Sequence, residues 1–166
     1  MRLPSRRQFF LASLRLQSLI LTNKYSASAL ILPMKTIDSH LHVWATPEEA
    51  AKFPYFPSQE PPANLETKAS LNALLETMND ANVQGSLIVQ PINHKFDHSY
   101  VANALKEHPD KFKGMMLHDP SMDLDTALAK LEELKALGFV GVRYNPYLWS
   151  EGEEMSNSVG SEVFKR

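Results

Sequence analysis

The sequence predicts an α/β fold of parallel strands. Short apolar runs of β type alternate with segments of helical period, and the runs are closed by Pro, Gly or Asp. Strands joined through helices pair in parallel by crossovers, so the pattern gives consecutive units of one sheet or one barrel.

The first unit opens with Thr36-Ile37-Asp38-Ser39-His40-Leu41-His42-Val43-Trp44, a strand leading into a loop. Pro47, Pro54, Pro57, Pro61 and Pro62 exclude a regular helix or central strand over 45–66. A long irregular loop is therefore expected there, with Phe53, Tyr55 and Phe56 packing on the body. Leu71, Leu74, Leu75 and Met78 share one helical face. Gly85 follows, then the apolar strand Ser86-Leu87-Ile88-Val89-Gln90, stopped by Pro91. Val101, Ala104 and Leu105 mark the next helix, with Asp97 or Ser99 as its cap and Pro109-Asp110 as its end. The third strand is Gly114-Met115-Met116-Leu117-His118, and Leu124, Ala127, Leu128 and Leu131 mark the helix after it, closed by Gly138. Phe139-Val140-Gly141-Val142-Arg143-Tyr144 forms the fourth strand, and a fourth helix starts near Ser156.

Two segments differ sharply in charge. Residues 1–35 hold Arg2, Arg6, Arg7, Arg15, Lys24 and Lys35 and no acidic residue, so the remainder carries a formal charge of −8. An acidic body offers no general attraction for nucleic-acid phosphates, which excludes that partner class. Residues 1–34 are rich in Arg, Ser and Leu and are expected to be a targeting leader, disordered or removed, ahead of a domain over 35–166. Its composition suits a transit peptide and thus an organelle, chloroplast or mitochondrion, with a secretory signal as the competing reading. Arg15 and Gln17 interrupt the apolar stretch Phe9–Leu21, making it too short and polar to span a bilayer, so no membrane partner is expected. Met34 stands directly before Lys35-Thr36-Ile37-Asp38, and initiation there gives a cytoplasmic form. The chain has no cysteine, which excludes disulfides and thiolate metal sites.

In parallel α/β folds the chemistry gathers at the carboxyl ends of the strands. Here all four ends are polar: His40-Leu41-His42, Gln90 with His94 and Asp97 beyond it, His118-Asp119, and Arg143 with Asn145. His40 and His42 are two apart in a strand and face the same way, half of a metal site. The alternative is one core-packed and one hydrogen-bonded histidine. Asp38, two further back, is expected on that same face as a ligand or as an orienter of His40. Apart from Arg166, Arg143 is the only arginine after residue 35. It suits bidentate binding of a carboxylate or, alternatively, an ion pair with Asp119. By their own chemistry His94 and His98 read as loop-surface residues, Asp97 as a cap and His108 as structural.

The first-strand segment Ile37–Trp44 resembles the signature of the amidohydrolase superfamily. Phe53-Pro54-Tyr55-Phe56-Pro57, Val89-Gln90-Pro91-Ile92-Asn93-His94-Lys95-Phe96-Asp97 and Gly141-Val142-Arg143-Tyr144-Asn145 resemble its amidohydrolase-related branch, which includes 2-pyrone-4,6-dicarboxylate lactonase and 4-sulfomuconolactone hydrolase. The resemblance spans about residues 36–165. It implies a (β/α)8 barrel of the TIM type, of which about four βα units are present; a whole barrel takes about 250 residues, so the chain is expected to be truncated.

The resemblance implies catalytic roles for His40 and His42, with one divalent metal, zinc foremost, held by them or no metal at all. It implies substrate binding by Arg143, His94 and Asn145. The expected activity is hydrolysis of a lactone or similar cyclic, carboxylate-bearing small molecule, with the chain incomplete and inactive alone. A metal-dependent non-oxidative decarboxylase and a non-catalytic product are the alternatives. Two departures count against a tightly bound polycarboxylate: Ile92 stands where the dicarboxylate lactonases have a small polar residue, and Leu148-Trp149-Ser150-Glu151 lacks their second arginine. Open strand edges make self-association an expected partner class.

Overall fold

The computed structural model describes residues 35–166; the expected leader, residues 1–34, lies outside the described residues. Four strands, β1 (Ile37–Leu41), β2 (Gly85–Val89), β3 (Phe112–Leu117) and β4 (Phe139–Arg143), form one parallel sheet in the order β1-β2-β3-β4. The helices are α1 (Ala63–Glu66), α2 (Leu71–Asp80), α3 (Ser99–Glu107), α4 (Leu124–Ala136) and α5 (Ser158–Lys165). This is the βα succession of a partial (β/α) barrel. Among the described residues, no helix is long and apolar enough to cross a membrane.

Local chemistry fixes the ends of the helices. Ser70 Oγ accepts from Ala73 N, Asp123 Oδ1 from Thr126 N and Asn157 Oδ1 from Gly160 N, satisfying amides that have no partner within α2, α4 and α5. The N-cap of α3 is His98, with no side-chain cap bond, rather than Asp97 or Ser99; Asp97, one residue earlier, accepts from Ser99 N at 2.9 Å in a local turn. Gly138, at φ +100°, turns the chain from α4 into β4 through a conformation that a Cβ disfavours.

The core lies between the sheet and its helices. Ile88, Phe112, Met116 and Phe139 come from the strands, while Leu71, Val101, Leu105, Leu131 and Val163 come from the helices. Val142 also packs on this side. On the opposite, inner face stand Leu87, Val89 and Met115 by register, while Met116 and Val142 turn to the helices. Val142 does so because of a bulge in β4. Gly114 and Met115 pair with Phe139 and Gly141, so Val140 is the extra residue and is left 63% exposed.

A second irregularity, in β1, corrects the expected placement of Asp38. Asp38 and Leu41 pair with Ser86 and Ile88, which are two apart and share a face. The extra residue puts Asp38 on the side of Leu41, opposite His40 and His42. Its carboxylate accepts from the backbone N–H of His40 at 3.0 Å.

The loop after β1 is irregular up to Pro62 and highly bonded; contrary to the expectation over 45–66, its end forms the short helix α1, which starts after the last proline, Pro62, as its N-cap residue. Thr46 and Glu49 form a reciprocal capping box, Glu49 Oε2 accepting from Thr46 N at 2.9 Å and Thr46 Oγ1 from Glu49 N at 3.3 Å. Tyr100 of α3 donates its hydroxyl proton to Glu49 Oε2 at 3.1 Å and accepts from Leu71 N at 3.1 Å. Tyr55 donates its hydroxyl to Ala45 O, and Phe53 packs edge-on against Tyr100 at 5.1 Å.

Candidate functional site

His40 and His42 stand at the carboxyl end of β1 with ring centroids 5.3 Å apart and planes nearly perpendicular. His40 is exposed and His42 half-buried. His42 Nδ1 lies 2.7 Å from the carbonyl oxygen of Val89 on β2. A carbonyl only accepts, so Nδ1 carries the proton and Nε2 keeps its lone pair. Burial lowers the pKa of His42 most; the Val89 bond opposes that, and the positive charge of Arg143 and the neighbouring His40 add to the lowering. The imidazole is thus neutral near pH 7, with an acceptor nitrogen free for a metal, a water or a substrate.

Arg143 ends β4 on the same inner face, its register partner being Leu117. Its Nη1 donates to the carbonyl of Gln90 at 2.9 Å, which holds the guanidinium over the end of β2. Among the described residues the ion pairs are Lys130–Glu133, Lys135–Glu132 and Lys165–Glu162, so the alternative pair of Arg143 with Asp119 does not form. Asp119 instead accepts from the backbone N–H and hydroxyl of Ser121. Burial alone lowers the pKa of Arg143. A partly buried guanidinium with no carboxylate partner is suited to an anionic ligand.

The other strand-end residues are placed differently. His94 and His98 are not surface residues: they are 2% and 5% exposed. Their sequence context gave no sign of this, because the long loop and Tyr100 cover His94 while β3 and Phe139 pack on His98. His94 Nδ1 donates to Pro54 O at 2.9 Å, and its ring stacks on Tyr55 at 4.4 Å. His98 Nδ1 donates to Phe96 O at 2.8 Å while Nε2 accepts from Leu117 N at 3.0 Å, and burial drives its pKa down to about 4. His118 is 2% exposed and packs by Tyr144 and Trp149, one residue beyond inward-facing Leu117 and so turned toward the helices. Gln90 is wholly buried, and its Nε2 donates to Lys95 O and Asp97 O, bracing the loop after β2. Asn145 is buried and caps the short turn Pro146–Leu148, accepting from Tyr147 N at 3.0 Å. His108 closes α3 beside Phe112.

His40, His42 and Arg143 are therefore the sequence-predicted residues that share the inner face at the strand ends. Among the described residues, no group of three or more His, Cys, Asp or Glu could hold a metal ion. The His pair fits two ligands of such an ion, through the bonded orientation of His42, and supplies no more. Two clefts, of about 470 Å³ beside Lys106 and Leu137 and about 510 Å³ beside Val142 and Phe164, contain none of these three residues. Sequence reasoning also passed over Trp44 and Asn93 as individual residues. The indole N–H of Trp44, whose ring lies 5.9 Å from that of His42, donates to Asn93 Oδ1 at 2.8 Å.

Residues 37–153 match the family model described as amidohydrolase. No curated protein sequence matches the chain. Among solved structures, the chain is similar to a probable 2-pyrone-4,6-dicarboxylic acid hydrolase of Acinetobacter baumannii with citric acid bound. The identity is 23%, with a TM-score of 0.61, over 80% of this chain and 45% of that one. It is also similar to a 5-carboxyvanillate decarboxylase of Novosphingobium aromaticivorans, a D314N mutant holding manganese and 3-methoxy-4-hydroxy-5-nitrobenzoic acid. There the identity is 16%, with a TM-score of 0.57, over 80% of this chain and 47% of that one. The chain thus spans less than half the length of these two structures.

Proposed function

The chain belongs to the amidohydrolase family, and from that premise we propose that His40, His42 and Arg143 serve hydrolysis of a lactone or similar cyclic, carboxylate-bearing small molecule. The observation that carries this reading is the placement of Arg143. A half-buried guanidinium without an ion-pair partner stands on the same face as a neutral imidazole, and its charge is felt by His42. Arg143 binds and orients the substrate carboxylate through its planar donors. Neutral His42, fixed by Val89, presents Nε2 toward the reacting end. His40 and His42 are the residues that would hold a divalent ion, which when bound supplies a Lewis acid for the carbonyl. No acidic side chain is among the groups that perturb His42, so these residues bind and orient without supplying a carboxylate base for water. His94 braces the loop after β1 by donating to Pro54 O, and Asn145 caps the turn after β4 by accepting from Tyr147 N.

A second reading, non-oxidative decarboxylation, is favoured by the likeness to the manganese-bound decarboxylase. It uses the same carboxylate anchor and the same His pair, but the carboxylate becomes the leaving group. The test is a parallel assay of the full chain, with and without added zinc or manganese. Binding of 2-pyrone-4,6-dicarboxylate supports the hydrolase reading, and metal-dependent binding of 5-carboxyvanillate supports the decarboxylase reading. Binding of neither compound would refute both.

A further inference from the structure

We propose that Asn93 is a positioning residue for His42, acting through Trp44 and clasping the loop after β1 over the His pair. The inference rests on the reading of His42 as a functional side chain.

All the polar groups of the Asn93 side chain and its carbonyl are engaged. Oδ1 accepts from Trp44 Nε1 at 2.8 Å, Nδ2 donates to Gln59 O at 2.7 Å, and its backbone carbonyl accepts from Phe56 N at 2.8 Å. The two partners fix the amide orientation: an indole N–H only donates and a carbonyl only accepts, so a flipped amide satisfies neither. Aspartate would lose the donor, and leucine would lose both bonds. The residues next to Asn93 reinforce the same junction, His94 through Pro54 and Tyr55, and Lys95 through its ammonium 3.6 Å from the Phe56 ring centre. Three consecutive residues of the loop after β2 thus hold the loop after β1.

Trp44 connects this clasp to the His pair. It lies two residues beyond His42, its ring tilted at 55° and 5.9 Å from the imidazole. His42 thus lies beside the Trp44 ring while its Nδ1 donates to the Val89 carbonyl. If Asn93 no longer accepts from the indole, a part-buried N–H loses its partner, which favours rotation of Trp44 toward water. His42 is then free to leave Val89, and an unconstrained imidazole places its proton on either nitrogen. The lone pair on Nε2 is no longer guaranteed.

The test reads the tautomer of His42 by long-range ¹H–¹⁵N correlation NMR of the full chain at pH 8. His98 serves as a control, because its two nitrogens bond Phe96 O and Leu117 N, and neither bond involves Asn93 or Trp44. The wild type is expected to show the Nδ1–H tautomer at both histidines. Asn93→Leu is expected to convert at least about a third of His42 to Nε2–H while His98 keeps its tautomer, a ratio change set by loss of roughly one hydrogen bond. Trp44→Phe combined with Asn93→Leu replaces both partners by apolar groups and is expected to return His42 toward Nδ1–H. An unchanged His42 in Asn93→Leu would overturn the proposal, as would a change at His98 of equal size, which marks general loosening. Neither metal nor substrate enters this measurement, so failure of the hydrolase reading in the binding assay is told apart from failure of this one.

Discussion

Acidification should unfold this domain through His98, by an amount the structure allows to be worked out. The imidazole is buried, donates from Nδ1 to Phe96 O and accepts at Nε2 from Leu117 N, so a proton added to Nε2 breaks a bond and charges a dry site. Burial lowers its pKa from 6.5 to about 4, with Lys130 adding to the lowering and Asp97 and Glu133 opposing it. Because the unfolded chain takes up the proton first, stability is full above pH 6.5 and is lost as pH falls toward 4. The shift corresponds to about 3 kcal/mol over the whole window, and about 2 kcal/mol is gone by pH 5. For a domain of this size that lowers the melting temperature by roughly 5–10 °C. The assay is urea denaturation followed by circular dichroism at pH 7 and pH 5, for the wild type and for His98→Gln. Glutamine keeps a donor and an acceptor but does not titrate, so its loss of stability between the two pH values should be smaller by about 2 kcal/mol. Equal pH slopes in the two proteins would refute the reasoning. His42, His94 and His118 are also shifted down by burial and account for what slope remains.

Three further outcomes are expected. Gly160→Ala should destabilise by about 3 kcal/mol in thermal melts, because the new Cβ would meet Met155 O at 2.2 Å; an ordinary helical Gly→Ala gains stability, so the sign is diagnostic. Asp123→Ala should remove the α4 cap and lower stability by about 1 kcal/mol in urea titrations, and a change within a few tenths would show the cap to be idle. Zinc should bind the chain no tighter than about micromolar in calorimetric titration, since two imidazoles fall short of a stable ligand set; nanomolar binding would reveal ligands beyond His40 and His42.

Much of the fold is legible in the sequence because its signals are local. The α2 face (Leu71, Leu74, Leu75, Met78), the closing role of Gly138 and the apolar run of β2 are set by periodicity and φ preference within a few residues. Two one-residue bulges are not legible, since pairing across strands decides them. They move Asp38 away from the His pair and expose Val140. The site divides the same way. His40 and His42 share a face by strand alternation, whereas Arg143 joins them on the inner face only through the bulge at Val140. The burial of His94 and His98 depends on segments distant in sequence, Pro54–Tyr55 for one and β3 for the other. Trp44 and Asn93 meet across 49 residues, and nothing local marks either as a partner of His42.

The central claim is that Arg143 anchors a substrate carboxylate beside His40 and His42, and the affinity of the full chain for 2-pyrone-4,6-dicarboxylate, compared with that of Arg143→Lys, tests it most directly. Lysine keeps the charge but loses the planar fork, so calorimetry should show binding weakened at least about tenfold, with the melting temperature little changed. Affinities within about threefold of each other would contradict the anchor role.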